Sequence, residues 1–518
     1  MFSNKPYLPY LLVFGLVLLS RFYGLDWGGG FYFHPDENNM ATALARLTPT
    51  SLNPHFFAYG QFPLYLGYCL LRLFGIPNNF EASVLVLRTI SATSGVLAVL
   101  SLFWLWRLLF IRKSALPLLI LTLTSPGLIQ IAHFGTTESL LTFFYILTLC
   151  LSLRIFQFPK SKLNYLLYSL VLGAACASKI SALIFITPIF FSILLLNIKT
   201  KFRFLLGSTL SLLLVIFSSL LLCLLFSPAS FLNLKEFVST LSYETGVAIG
   251  SIPVFYTRQF EGTLPYVFQL THIFPYVWGL PVFGLSLVSL VSLVLLVLKL
   301  KNITSKVYFP YLIVGLSVLS YWLYFGQTYT RWTRFQAPIF FIGPLLTALL
   351  IVRIKNKLLS FIILSLCLFP GILFYKIYLV SDVRLTASAW LNANIPSGST
   401  VLSEAGNVVN LPVFSPPYDV INFDFYQVDS NPILAQELVA NIKSADYILV
   451  PSRRIFKNQN NFRYPISQKY YQQLFSPTPN YKLIKTFSPG NSFILNSENA
   501  EETYTVFDHP TIRVFQKN

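Results

Sequence analysis

Just after its first apolar run, the chain places two adjacent carboxylates, an imidazole and two amides in the stretch Phe33-His34-Pro35-Asp36-Glu37-Asn38-Asn39. A carboxylate beside a membrane can take the proton of an attacking hydroxyl if an acceptor sits within hydrogen-bond reach. Asp36 and Glu37 are therefore candidate catalytic residues. The same residues also read as a plain helix start, with Pro35 in the first turn and the acids at the positive end of the helix dipole. A third acid, Glu138, follows His133-Phe134-Gly135-Thr136-Thr137 in a tight turn between two apolar runs. An ionisable group at that depth is a functional candidate, and it also fits a first helical turn capped by Thr136 or Thr137. His133 and Glu138 facing Asp36 could hold a divalent metal. Two such residues do not define a metal site, and no other cofactor is implied.

Cations that could meet a lipid phosphate are few on the same side. They are Lys179 in Ser178-Lys179-Ile180-Ser181, Arg258 in Tyr256-Thr257-Arg258-Gln259-Phe260, and Arg331 and Arg334 in Tyr329-Thr330-Arg331-Trp332-Thr333-Arg334. A guanidinium fork binds phosphate through two hydrogen bonds. Any one of these alone also reads as an interfacial anchor whose stem lies along apolar surface. Their joint occurrence at junctions between loops and spans favours phosphate binding.

The elements that must position these groups are membrane helices. The chain has 518 residues, 55% of them hydrophobic and 11% charged. Its apolar runs approach the ~20 residues needed to cross a bilayer, and about eleven such spans can be drawn before residue 380. The reading is a mainly α, polytopic membrane domain over residues 1–380, with an uncleaved first span. A soluble α/β or α+β domain follows over residues 381–518. In it Thr400–Leu402, Tyr447–Val450, Tyr504–Phe507 and Ile512–Phe515 read as strands, and Ala387–Asn394 and Ile433–Ile442 as helices.

The net charge of +18 does not point to nucleic acid. Residues 381–518 carry 11 acids and 11 bases, so the first 380, with 8 acids and 26 bases, hold the whole excess. The bases cluster in short loops: Arg112-Lys113, Lys160 with Lys162, Lys199 with Lys201 and Arg203, Lys299 with Lys301 and Lys306, and Arg353 with Lys355 and Lys357. With Lys5 and the N-terminus in the cytoplasm, every cluster falls inside, as the positive-inside rule requires. The eight acids Asp26, Asp36, Glu37, Glu81, Glu138, Glu236, Glu244 and Glu261 then fall outside, as does the C-terminal domain. The expected location is the cell membrane. The five cysteines form no CxxC motif and read as small buried side chains.

Together these pieces resemble the GT-C membrane glycosyltransferases, specifically prokaryotic family 39-like proteins related to protein O-mannosyltransferases and aminoarabinose transferases. The resemblance rests on His34-Pro35-Asp36-Glu37, Asn53-Pro54-His55-Phe56-Phe57, Gln61-Phe62-Pro63-Leu64-Tyr65, His133 to Glu138, Ala177-Ser178-Lys179, Tyr256 to Phe260 with Gly262-Thr263, and Arg334-Phe335-Gln336-Ala337-Pro338. It extends to the tail through Ala387 to Leu391, Asn394 to Gly398 and Ala500-Glu501-Glu502-Thr503-Tyr504-Thr505-Val506-Phe507-Asp508-His509-Pro510.

The resemblance implies inverting transfer of a sugar from a polyprenyl-phosphate donor to a protein, lipid or glycan acceptor on the outer face. Asp36 matches the catalytic base, with Glu37 and Glu138 supporting it. Lys179, Arg258, Arg331, Arg334, His34, His55 and His133 are the candidate substrate and lipid-phosphate ligands. Members of the family more often carry Arg than His before the second acid, which leaves the role of His133 open. Some GT-C enzymes use a divalent metal and others do not. The competing readings are a transporter or flippase of lipid-linked sugars, which would favour intramembrane charges and inverted repeats, and a non-catalytic protein of envelope assembly.

Overall fold

The computed structural model describes residues 7–201, 205–299, 306–405, 411–412, 416–459, 461–476, 480–489 and 495–518. Lys5, Arg203 and Lys301 of the basic clusters lie outside the described residues. The first part is helical. Helix α1 (Tyr7–Phe22) leads into α2 (Pro35–Ala45) and α3 (Phe62–Leu73), followed by α4 (Phe80–Leu109). Then come α5 (Leu116–Leu123), α6 (Pro126–His133), α7 (Glu138–Gln157), α8 (Lys162–Ser178), a 3-10 segment (Ile180–Ile186), α9 (Thr187–Lys199) and α10 (Leu205–Phe226). A second insertion holds α11 (Pro228–Leu232), α12 (Leu234–Ile249), α13 (Val267–His272) and α14 (Phe274–Val277). The helices α15 (Leu280–Lys299), α16 (Phe309–Gly326), α17 (Thr333–Gln336), α18 (Ile342–Ile351) and α19 (Lys357–Tyr375) complete this part.

The described residues do not show the eleven full-length spans that the sequence suggests. Among the described residues six helices are long and apolar enough to cross a membrane, and up to eight if each bent pair is one span. One bent pair is α5 with α6, at 56°; the other is the 333–339 segment with α18, at 44°. A broken helix exposes carbonyls that the membrane cannot satisfy. At the first break the fully buried Arg21 supplies the donors, reaching Thr122 O at 2.8 Å and Leu123 O at 3.4 Å. The second long insertion contacts the C-terminal domain. Glu261 there accepts from Tyr464 of the C-terminal domain at 2.9 Å.

The C-terminal domain is a five-stranded mixed sheet in the order β2-β1-β3-β5-β4, built from β1 (Thr400–Ala405), β2 (Asp419–Asp424), β3 (Tyr447–Val450), β4 (Tyr481–Phe487) and β5 (Ile512–Lys517). β1 pairs in parallel with β2 and β3, and β5 runs antiparallel to β3 and β4. Side chains alternate between two cores, as a period of two demands. Val401, Leu449 and Val514 face α20 (Val383–Asn394), whereas Leu402, Ile448 and Phe515 face α21 (Pro432–Ser444) and α23 (Pro465–Leu474). Between them in the chain lies the short α22 (Arg454–Asn458).

One expected strand is corrected. Tyr504–Phe507 does not enter the sheet, and its first two residues close the short helix α24 (Glu502–Thr505). Glu501 caps that helix, its carboxylate accepting from Thr503 N at 3.2 Å and from Thr503 Oγ1 at 2.5 Å. The segment also leaves its own domain: Ala500, Tyr504, Val506 and Phe507 belong to the core of the helical part.

Candidate active site

Helix α2 starts as its sequence dictates. His34 is the N-cap in extended backbone, Pro35 takes the first helical position, and Asp36 and Glu37 fill the first turn. His34 Nδ1 accepts the Glu37 N–H at 3.4 Å, and the ring lies buried between Phe134 (4.6 Å) and Phe507 (4.4 Å). Burial lowers the pKa of His34, with neighbouring acids opposing, which suits a neutral ring that accepts at Nδ1. His34 thus sets the helix start that aims Asp36.

The two neighbouring acids part company at once. Glu37 is fully buried and grips Arg88 of α4 through two hydrogen bonds, Nε to Oε2 at 2.9 Å and Nη2 to Oε1 at 2.6 Å. Arg88 also donates to Leu25 O (2.6 Å) and Trp27 O (3.0 Å) and lies 4.5 Å over the Trp27 ring. Glu37 further accepts the Gly135 N–H at 2.6 Å. A Cβ at residue 135 would stand 3.0 Å from Leu87 and 3.1 Å from Glu37 Oε2, a tight fit that glycine avoids. This network ties α2, α4, the loop after α1 and the turn before α7 into one frame.

Asp36 instead faces an open cluster of cations. Its carboxylate pairs with Arg334 on α17, and both side chains keep about a fifth of their surface accessible. Arg334 also donates to Tyr59 Oη at 3.2 Å and lies 4.5 Å over the Trp332 ring. Lys179, in extended backbone at the end of α8, reaches Glu138 Oε1 at 3.5 Å and sits 4.8 Å from the Tyr59 ring centre. Tyr59 is placed there by the next residue. Gly60 donates to Ser178 O at 2.9 Å, and a Cβ on it would lie 1.9 Å from Ala177 O. The loop can therefore dock on α8 only with glycine at 60.

Electrostatics follow from this geometry. Burial opposes ionisation of Asp36, but Arg334, His34, the Tyr59 hydroxyl and Lys179 together hold its carboxyl below its ordinary 3.8. Burial lowers Lys179 from its ordinary 10.5, with Glu138 working against it. Burial drives the Tyr59 hydroxyl well above its ordinary 10.0. Glu244 on α12 is raised, first by burial, with Arg334 opposing. At neutral pH the site therefore carries an ionised Asp36 among cations.

The structure thus brings Asp36, Glu138, Lys179 and Arg334 together. It seats the other sequence candidates elsewhere. Arg331 donates to Thr263 Oγ1 (2.7 Å) and Tyr329 O (3.0 Å), and Arg258 to Tyr426 O (2.9 Å) in the C-terminal domain. His55 is exposed, 3.9 Å from Glu236. His133 is buried, with Nδ1 2.8 Å from Ile129 O and Nε2 2.9 Å from Tyr23 O, and stacks on Tyr378 at 3.7 Å. Three residues escaped the sequence reading of the site. Arg88 carried a usable signal, a charge inside an otherwise apolar run. Glu244 was legible only as one of the outer acids, and Tyr59 as a residue between two recognised motifs.

The residues do not fit a divalent metal. Asp36, Glu37 and Glu138 each face their own cation, Arg334, Arg88 and Lys179. Among the described residues no three His, Cys, Asp or Glu side chains converge on a common point.

Beside the cluster opens an apolar cavity of about 280 Å³ between α8, α10, α11 and α12. Tyr59 and Glu244 stand in its wall, with Leu172, Cys176, Leu183 and Ile216 among the lining side chains.

Comparison with known proteins bears on the fold. The profile of the dolichyl-phosphate-mannose-protein mannosyltransferase family matches residues 70–221. No curated protein sequence matches the chain. Among solved structures, the Archaeoglobus fulgidus oligosaccharyltransferase AglB, in complex with an inhibitory peptide and a dolichol-phosphate, superposes with a TM-score of 0.55 at 11% identity. That match covers 100% of this chain and 89% of the other. ArnT from Cupriavidus metallidurans bound to undecaprenyl phosphate gives a TM-score of 0.51 at 12% identity, covering 98% of both chains. The helical part with its appended domain therefore has the GT-C fold of membrane glycosyltransferases.

Proposed function

We propose that this chain is an integral-membrane inverting glycosyltransferase that moves a sugar from a polyprenyl-phosphate donor to an acceptor hydroxyl on the outer face. The observation that carries the reading is the placement of an ionised Asp36 against Arg334, with Lys179 nearby, at the edge of an apolar cavity. An isoprenoid chain fits the cavity by its chemistry, and a phosphate at its mouth would meet Arg334 and Lys179. The two superposable structures hold a dolichol-phosphate and an undecaprenyl phosphate, which supports a lipid-linked donor.

In this reading Asp36 takes the acceptor proton as the acceptor oxygen attacks C1 of the sugar. The bond from C1 to the phosphate oxygen breaks, and its electron pair leaves on the lipid phosphate, which gains one negative charge. Arg334 and Lys179 stabilise that charge electrostatically. Incoming phosphate competes with Asp36 for the Arg334 guanidinium, so donor binding frees the carboxylate for the acceptor. Glu138 keeps Lys179 oriented. Glu37 and Arg88 hold the frame. The basic clusters in short loops support an N-terminus inside and an extracytoplasmic site, and Arg258 and Glu261 of the second insertion meet the C-terminal domain.

The test uses purified full-length protein, polyprenyl-phosphate mannose and an envelope extract as the source of acceptor hydroxyls. Release of free polyprenyl phosphate that is lost in Asp36→Asn supports the reading. Full activity in Asp36→Asn refutes the base. Movement of the intact lipid-linked sugar across vesicles without cleavage makes the protein a transporter.

A further inference from the structure

The segment 500–510 belongs by sequence to the C-terminal domain, yet it threads into the helical part and touches both flanks of the pair Asp36–Arg334. On one flank the Glu501 carboxylate accepts the backbone N–H of Thr333 at 2.9 Å. Thr333 is the residue before Arg334, so Glu501 holds the start of the short helix that carries the guanidinium. The same carboxylate accepts Gln259 Nε2 at 2.9 Å, while Glu501 N donates to His272 O at 3.0 Å. On the other flank the Phe507 ring lies 4.4 Å from His34, the N-cap of the helix that carries Asp36.

The segment is anchored behind both contacts. Asp508 accepts from Tyr378 Oη at 2.7 Å and from Gln130 Nε2 at 3.1 Å, and Gln130 also donates to Tyr504 O at 2.6 Å. Arg384 donates to Phe507 O at 2.7 Å and lies 3.4 Å over Phe33, next to His34. Toward its own domain, Glu502 pairs with Arg454 at 3.2 Å and accepts from Asn458 at 2.8 Å. Glu501, Phe507 and Asp508 are all nearly fully buried. A carboxylate buried with four donors is costly unless every contact is kept, so this segment has one well-defined arrangement.

We propose that residues 500–510 form a positioning clasp, in which Glu501 and Phe507 set the relative placement of Arg334 and Asp36 and so make the C-terminal domain part of the catalytic frame. The inference rests on the glycosyltransferase reading for its kinetic consequences, though not for its structural ones. Asp36 faces His34 on its own element, Tyr59 before α3, Lys179 after α8, Glu244 on α12 and Arg334 on α17. Of these, Arg334 and His34 are the two whose positions the clasp controls. Loosening Arg334 weakens the strongest hold on the Asp36 carboxylate.

The experiment compares Glu501→Gln, Phe507→Leu and, as a control within the same domain, Glu404→Gln, all in the full-length protein. Glu404 is buried against Tyr471 and does not contact the segment. With polyprenyl-phosphate mannose as donor, Glu501→Gln should lower kcat on the order of tenfold with the donor KM nearly unchanged. The acid limb of the pH profile should move to higher pH. Backbone amide exchange over 331–336 should speed up. Phe507→Leu, which keeps an apolar side chain, should shift the same limb to a smaller extent, and it serves if Glu501→Gln does not fold. Glu404→Gln should behave as wild type. Unchanged kcat and acid limb in a folded Glu501→Gln overturn the clasp, as does an equal effect from Glu404→Gln. If wild type releases no polyprenyl phosphate, the glycosyltransferase reading fails on its own. Amide exchange still decides the clasp in that case, because unchanged exchange over 331–336 in Glu501→Gln refutes it.

Discussion

Glu37 receives both Nε and Nη2 of Arg88, at 2.9 and 2.6 Å, while Asp36, one residue earlier, pairs with Arg334 at a partly open surface. Two adjacent carboxylates thus do different work. Successive side chains on a helix point about 100° apart, so α2 presents one acid to the frame and the other to the site.

Removing the Asp36 carboxylate should abolish chemistry and spare the fold. Asp36→Asn is expected to lower kcat by roughly 10²–10⁴-fold, the usual contribution of a positioned general base. Its thermal midpoint should stay close to that of wild type. Release of polyprenyl phosphate and a melting curve check both halves.

The frame should respond in the opposite way. Arg88→Met leaves Glu37 buried and unpaired, and breaking a buried pair from one side costs about 3–5 kcal/mol. A marked fall in the thermal midpoint is expected. Combining Arg88→Met with Glu37→Met removes both charges and should recover part of that loss. If the double variant is no more stable than the single one, the pair is not the source of the cost.

The pH profile follows from the hold on Asp36. Its carboxyl lies below the ordinary 3.8 because Arg334 and its neighbours outweigh burial. A depressed pKa means the ionised form persists to lower pH and is lost only as pH falls through the lowered value. Activity that needs the carboxylate should therefore survive below the usual carboxylate range in wild type. In Arg334→Gln the acid limb should move to higher pH, with a lower kcat from the lost charge stabilisation. A pH series of kcat/KM on both proteins measures the displacement.

Filling the apolar cavity should discriminate between donors. Cys176→Trp places a large ring in its wall and is expected to raise KM for a long-chain polyprenyl donor. A donor with one or two isoprene units should be affected less. Equal effects on both would place the lipid chain elsewhere.

Chelation should leave transfer intact. The nearby carboxylates Asp36, Glu37 and Glu138 each have their own cation, so activity in excess EDTA should match the untreated protein. Loss of activity restored by one added divalent metal would contradict this.

Much of the site was legible in the chain itself. Asp36, Glu138, Lys179 and Arg334 stand out because charge is rare among apolar runs and costly to bury, so each invites a reason. The start of α2 at His34-Pro35 and the helices at Ala387–Asn394 and Ile433–Ile442 were equally local, since capping, proline geometry and periodicity are written over a few residues. Tyr504–Phe507 shows where local propensity fails. Its β-rich composition is overridden by the Glu501 cap and by burial against the helical part.

Which cations face Asp36 was decided only by tertiary structure. Arg331 and Arg334 lie three residues apart in one loop, and nothing in the spacing says that Arg334 meets Asp36 while Arg331 turns to Thr263 and Tyr329. Tyr59 became a site residue because Gly60 lets its loop dock on Ala177 and Ser178. The sequence by itself determined the chemistry available, an acid after the first span with cations on the same side, because residue type and hydrophobic pattern are local properties. Only the packing of distant helices decided which acid is free and which is locked, because a carboxylate's role depends on the charge folded against it: Arg88 for Glu37, Arg334 for Asp36.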